Sequence, residues 1–128
     1  MKILSLIARI LLGLLFLFFG ANGFLNFMVP PPAPDSPATR FGTLLMTTHY
    51  MHFVCAIMVI SAILFLIGRY VPLALVLIGP VIVNILLFHT LMAPASIGPG
   101  ALAAVLWFIV FIHVRSAFSG IFQAKVAS

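Results

Sequence analysis

Acid is what this chain has least of: Asp35 is its only carboxylate side chain in 128 residues, beside six Lys or Arg. A proton or ion path through a membrane is normally marked by a buried Asp, Glu or Lys, so a pump or secondary transporter is disfavoured, and no inverted repeat argues for one. Cysteine is nearly absent too. Cys55 stands alone inside an apolar run, which excludes a disulfide framework and any C-x-x-C thiol relay. Polar surface is the third shortage: six cations among so many Leu, Ile, Val and Phe cannot form a solvated basic face, so nucleic acid is not an expected partner.

What remains is apolar. Hydrophobic residues make up 65% of the chain and its mean hydropathy is +1.37, a membrane composition. A helical crossing needs about 20 apolar residues, so the length holds roughly four crossings with short connections and no separate soluble domain. The expected fold class is all-α, an integral membrane four-helix up-down bundle forming one domain over residues 1–128.

Proline and glycine place the breaks. The first helix is expected over residues 3–28, ending at the Pro30-Pro31-Pro32 run, where N–H donors are missing. About 25 apolar residues exceed the h-region of a signal peptide, so the segment is read as a retained helix. Asp35 or Ser36 before Pro37 predicts an N-cap followed by a first-turn proline, hence a short interfacial helix over 36–48. Its Phe41, Leu44, Leu45 and Thr48 recur at helical spacing, and it is expected to feed straight into the second crossing. The other crossings are expected over 49–67, 72–92 and 101–118, separated by Gly68-Arg69-Tyr70-Val71-Pro72 and by Ala93-Pro94 through Gly98-Pro99-Gly100.

Lys2, Arg9, Arg69, Arg115 and Lys125 then share one side, with Arg40 alone on the other. This predicts an inner-membrane protein with both termini cytoplasmic. On the first helix Arg9, Gly13, Phe16, Gly20, Gly23 and Phe27 stay within about 40° of one line, a groove for a neighbouring helix. Gly100 and Ala104 repeat the small-residue spacing beside Trp107. Gly79-Pro80 frees the Val76 carbonyl and predicts a kink.

Few polar side chains lie within the crossings, and each needs a partner in hydrocarbon. Asn22, Asn26, His49, His52, Asn84 and His89 all fall toward the outer leaflet, whereas His113 lies roughly 20 Å away with Arg115. Asn22 and Asn26 share a face, as do His49 and His52; Asn84 and His89 differ by about 140°. Two histidines without a membrane carboxylate or second thiol are a poor metal site, and no dedicated metal centre is expected. Haem ligation by His52 and His89 would sit close to the surface. A quinone headgroup asks only for one or two hydrogen-bonding groups beside aromatic walls, which His, Asn, Tyr50 and the many Phe can supply. The alternative is that these groups only hydrogen-bond between helices or to loop carbonyls at the interface. Tyr50, Tyr70 and Trp107 read as interfacial or packing aromatics, and Cys55 as a small buried hydrophobe.

The stretch Ala8-Arg9-Ile10-Leu11-Leu12-Gly13-Leu14-Leu15-Phe16, then Phe19-Gly20-Ala21-Asn22-Gly23-Phe24, resembles the first helix of DoxX-like membrane proteins. Gly79-Pro80-Val81-Ile82-Val83-Asn84, Phe88-His89 and the basic end of the last helix extend the resemblance over nearly the whole chain. It implies a small four-helix inner-membrane protein, linked in that family to quinone-coupled oxidation of sulfur compounds and to complexes against oxidative stress. Where many relatives carry a Lys near the end of the first helix, this chain has Gly23 beside Asn22, which removes a cation for a thiosulfate-type anion. The expected function is an accessory subunit of a quinone-linked redox or oxidative-stress complex, working with other membrane subunits. His49, His52, His89, Asn22, Asn26 and Asn84 are the candidate binding residues. The alternative is a structural or assembly subunit of a larger respiratory or photosynthetic complex.

Overall fold

The computed structural model describes residues 2–29 and 31–126. The chain is helical, with no strand among the described residues. Helices α1 (Lys2–Leu25), α2 (Pro37–Thr47), α3 (Tyr50–Ile67), α4 (Val71–Met92) and α5 (Gly98–Val114) follow in order. A 3₁₀ turn, Pro94–Ser96, precedes α5, and a longer 3₁₀ segment, Arg115–Phe122, continues it. Helices α1, α3 and α4, and α5 taken with its 3₁₀ continuation, are each long and apolar enough to cross a membrane, as a multi-pass membrane protein requires.

Local chemistry sets the ends. Helix α1 stops at Leu25, three residues before the expected end. Asn26 turns left-handed (φ 51°), a conformation Asn tolerates at a helix C-terminus, and the Asn22 side chain takes hold of Met28 through Nδ2 to its carbonyl (3.1 Å) and Oδ1 from its N–H (2.8 Å). Pro30, the first residue of the expected proline stop, lies outside the described residues. Phe27 has left the glycine line and meets Phe18 edge-on instead. Ser36, not Asp35, caps α2: its Oγ accepts from Thr39 N–H while Thr39 Oγ1 accepts from Ser36 N–H, a closed capping box. Asp35 is engaged elsewhere, receiving both Nε and Nη2 of Arg40 at 2.9 and 2.8 Å. Helices α2 and α3 do not merge, because His49 is left-handed (φ 62°) and breaks the chain between them. Pro99 in the first turn of α5 lets that helix begin at Gly98, ahead of the expected residue 101.

The four long helices form a ring in which α1 touches α3, α3 touches α4, α4 touches α5, and α5 returns to α1. Lipid tails are as apolar as Leu, so such a ring is held by close packing and interhelical hydrogen bonds more than by exclusion of water. Along the α1–α3 seam the glycines face their partner as expected: Gly13 meets Leu66 and the Ala62 carbonyl, Gly20 meets Val59 and the Cys55 carbonyl, and Gly23 meets Cys55 Sγ. Rising numbers on α1 meet falling numbers on α3, so the pair is antiparallel. At its far end the Arg9 guanidinium donates to the Phe65 carbonyl and lies over Gly68. It thereby caps the C-terminus of α3 with a positive charge, where the helix dipole favours one.

Helices α4 and α5 meet in the same antiparallel way, Gly100 against Ile85 and Trp107 against Gly79. Trp107 Nε1 donates to the Leu75 carbonyl at 3.0 Å and its ring stacks on Phe111. Leu12, Phe65, Ala62, Ala74, Leu75 and Ile78 are fully buried where the helices converge. Ser61, also fully buried, has a hydroxyl with no hydrogen-bond partner among the described residues.

Candidate functional site

The ends of the ring differ chemically. At one end lie the C-terminus of α1, the N-terminus of α3, the last turns of α4 and the start of α5. The six candidate residues belong to this end, and the structure divides them into three groups.

His49 and His52 touch directly, Nδ1 to Nδ1 at 3.3 Å with ring centroids 5.2 Å apart, and Phe24 of α1 lies against His52 at 5.6 Å. A separation that short between two neutral rings requires one nitrogen to donate and the other to accept. The left-handed backbone of His49 permits the approach by turning it out of helical register immediately before α3. No third His, Cys, Asp or Glu joins them to form a metal-ligating group among the described residues.

Asn22 and Asn26 form the second group, at the end of α1. Asn22 spends its amide on Met28, and Asn26 N–H donates to the Asn22 carbonyl at 2.8 Å. The Asn22 amide therefore does not join the histidines, and the Asn26 side chain makes no hydrogen bond to them among the described residues.

Asn84 and His89 occupy different faces of α4, as their spacing requires. Asn84 donates Nδ2 to the Pro80 carbonyl one turn back at 2.8 Å. It lines a lateral cleft of about 470 Å³ between α3 and α4 that α2 roofs with Phe41 and Leu45. Phe41 stacks on Phe88 at 5.8 Å, which docks α2 there. His89 instead borders a half-open recess of about 380 Å³ between all four long helices, walled by Phe16 and Phe19 from α1, Met51 and Met58 from α3, Val81 and Ile85 from α4, and Gly100 and Ala103 from α5. The two spaces share Met51, Val54, Val81 and Ile85, so one thin apolar wall separates the lateral cleft from the interior.

The hydrogen bonding of His89 fixes its chemistry. Its Nδ1 lies 2.8 Å from the Ile85 carbonyl, which can only accept, so Nδ1 carries the proton. His89 borders a recess whose other polar side chain is Ser96, and with Nδ1 bonded to its own helix Nε2 is the ring nitrogen left for other partners. A recess of this size, nearly all aliphatic and aromatic with two polar groups near one rim, has the make-up of a small-molecule site for an apolar ring compound.

Sequence reasoning named His89 but not the recess, because Leu, Phe, Met and Val lining a void read the same as those filling a core. Arg9 was legible as a charge but not as the cap of α3. Gly100 gave no signal of the recess either, since it serves the close approach of α4 and α5: a Cβ there would lie 2.9 Å from Ile85 Cγ2. Compared with family models, curated proteins and solved structures, the chain matches none.

Proposed function

We propose that this protein is a membrane subunit of the DoxX-like type that holds a quinone-class headgroup against His89 within a quinone-linked redox or oxidative-stress complex. In this reading the four long helices cross the inner membrane up and down, both termini are cytoplasmic, and α2 lies in the opposite interface. Five cations at the basic end against Arg40 at the other support that orientation.

The observation that carries the reading is His89, bonded to its own helix through Nδ1 alone and bordering an apolar recess. Nε2 with a lone pair accepts a hydrogen bond, so it suits the O–H of a reduced, hydroquinone headgroup and can take up its proton as a base. Phe16 and Phe19 supply the aromatic walls. Electron transfer itself would belong to partner subunits.

The test is to purify the protein in mild detergent, extract its lipids and quantify quinone per chain. Wild type and His52→Phe are expected to retain quinone and His89→Phe to lose most of it while keeping its melting temperature. Equal quinone in wild type and His89→Phe, or none in either, overturns the proposal. A second reading, an assembly subunit without a ligand, is favoured by Asn22 and Asn84, whose amides close on their own chain. It predicts stoichiometric co-purification of larger membrane subunits and no bound quinone.

A further inference from the structure

The opposite end of the ring carries a groove that the function above does not use. Its floor is the first two turns of α1, where Lys2, Ser5, Leu6 and Arg9 follow at the spacing of one helix face. Val71 at the start of α4 and Val110, His113 and Val114 at the end of α5 form the other walls, enclosing about 390 Å³. His113 also borders the adjoining recess with Arg115 and Ser116. Lys2, Arg9 and Arg115 are thus brought around one imidazole, although they lie on two helices far apart in sequence.

These charges have no acid to answer them. Asp35 is the only acidic side chain in the chain, and it pairs with Arg40 beside α2. Arg9 lines the groove and gives one N–H to the Phe65 carbonyl at the end of α3, a single bond for a guanidinium with five donors. Leu6, Val71, Val110 and Val114 are apolar, so the groove combines cations with a hydrocarbon-like lining. A free anion would meet the cations alone, whereas a molecule with an anionic head and an apolar tail matches both.

We infer that this groove is a binding site for an anionic phospholipid, its phosphodiester held by Lys2, Arg9 and the His113 ring N–H, and its acyl chains lying along Leu6 and Val110. Basic recesses between membrane helices recognise such headgroups through charge and planar guanidinium hydrogen bonds. The inference does not depend on the quinone reading, because the sites are at opposite ends and share no residue.

Trp107 is the only tryptophan and lies two turns before His113 on α5, so its fluorescence reports lipid at this groove. The full-length protein is reconstituted in phosphatidylcholine vesicles containing increasing brominated phosphatidylglycerol, with brominated phosphatidylcholine as the reference. Brominated phosphatidylglycerol is expected to quench Trp107 at a severalfold lower mole fraction. The double variant Lys2→Gln/His113→Leu, which leaves the Arg9 cap in place, should reduce that preference by about fivefold, the effect of one juxtamembrane charge. Lys125→Gln should keep it. Equal quenching by the two lipids, an unchanged preference in the double variant, or an equal loss in Lys125→Gln overturns the assignment. Abolition of the preference by millimolar inorganic phosphate overturns it too, since the site would then recognise free phosphate and not a lipid.

Discussion

The indole N–H of Trp107 on α5 donates to the main-chain carbonyl of Leu75 on α4, a bond of 3.0 Å across the interior of the ring. Its position matters because Pro80, further along α4, has no N–H and leaves the neighbouring Val76 carbonyl without its usual helical donor. Helix α4 nevertheless runs unbroken from Val71 to Met92. A donor from outside the helix strengthens the turn that proline weakens.

Trp107→Phe keeps an aromatic ring to stack on Phe111 and removes only that donor. The expected cost is about 1 kcal/mol, within the range of interhelical hydrogen bonds in membranes. Melting temperature in detergent should fall by a few degrees, and amide exchange should quicken around residues 75–80. Unchanged exchange in that stretch would show that the indole does not support the turn.

Gly20 tests the α1–α3 seam against backbone as well as side chain. A Cβ there would lie 2.9 Å from Val59 Cγ2 and 3.1 Å from the Cys55 carbonyl oxygen. Gly20→Ala is therefore expected to destabilise by about 1–3 kcal/mol, as overpacking does, despite the better helix propensity of Ala. Gly42→Ala, where nothing lies within 4 Å, is the control and should be neutral or slightly stabilising. Equal melting temperatures for the two variants would contradict the close approach.

Ser61 predicts the opposite sign. Its buried hydroxyl lacks a partner, so Ser61→Ala removes an unsatisfied polar atom at almost no cost in volume. A gain of about 1 kcal/mol is expected, read as a higher midpoint in chemical or thermal unfolding. A loss instead would mean that the hydroxyl makes a bond in the folded protein.

Asp35 and Arg40 give a pH dependence with a definite direction. The Arg40 guanidinium, bonded to both carboxylate oxygens, holds Asp35 below its ordinary value of 3.8; slight burial opposes this and the Ser36 backbone adds to it. With the folded value depressed, the contribution of the pair is complete above the unfolded value and is lost as pH falls through the folded one. Both side chains are mostly exposed, so the effect on overall stability is small. Titration of the Asp35 carboxyl by carbon NMR should give a midpoint below 3.8 in wild type that rises in Arg40→Gln. An unmoved midpoint would exclude Arg40 as the cause.

The crossings were legible because apolar runs punctuated by Pro and Gly leave few other readings, and Gly13, Gly20 and Gly23 announced their face by spacing alone. The site was less legible for a physical reason. Asn84 and His89 each bond a carbonyl four residues back on their own helix. Asn22 likewise closes on Met28. A polar residue in hydrocarbon needs a partner, but the partner can be local, so clustering in sequence does not bring side chains together. The early end of α1 follows from one residue, Asn26, whose left-handed backbone overrides a run that composition would have carried further. The recess beside His89 depends on which side chains leave space unfilled, which residue types do not encode.

The bond between Arg9 and the Phe65 carbonyl spans 56 residues. A chain that emerges from its N-terminus first has made Arg9 long before its acceptor exists, so throughout synthesis of α2 and most of α3 that guanidinium must be satisfied by water or by headgroups at the membrane surface. Completion of α3 is the first moment at which that bond can form. It ties the first turns of the chain to a carbonyl made only when about half of the 128 residues are in place.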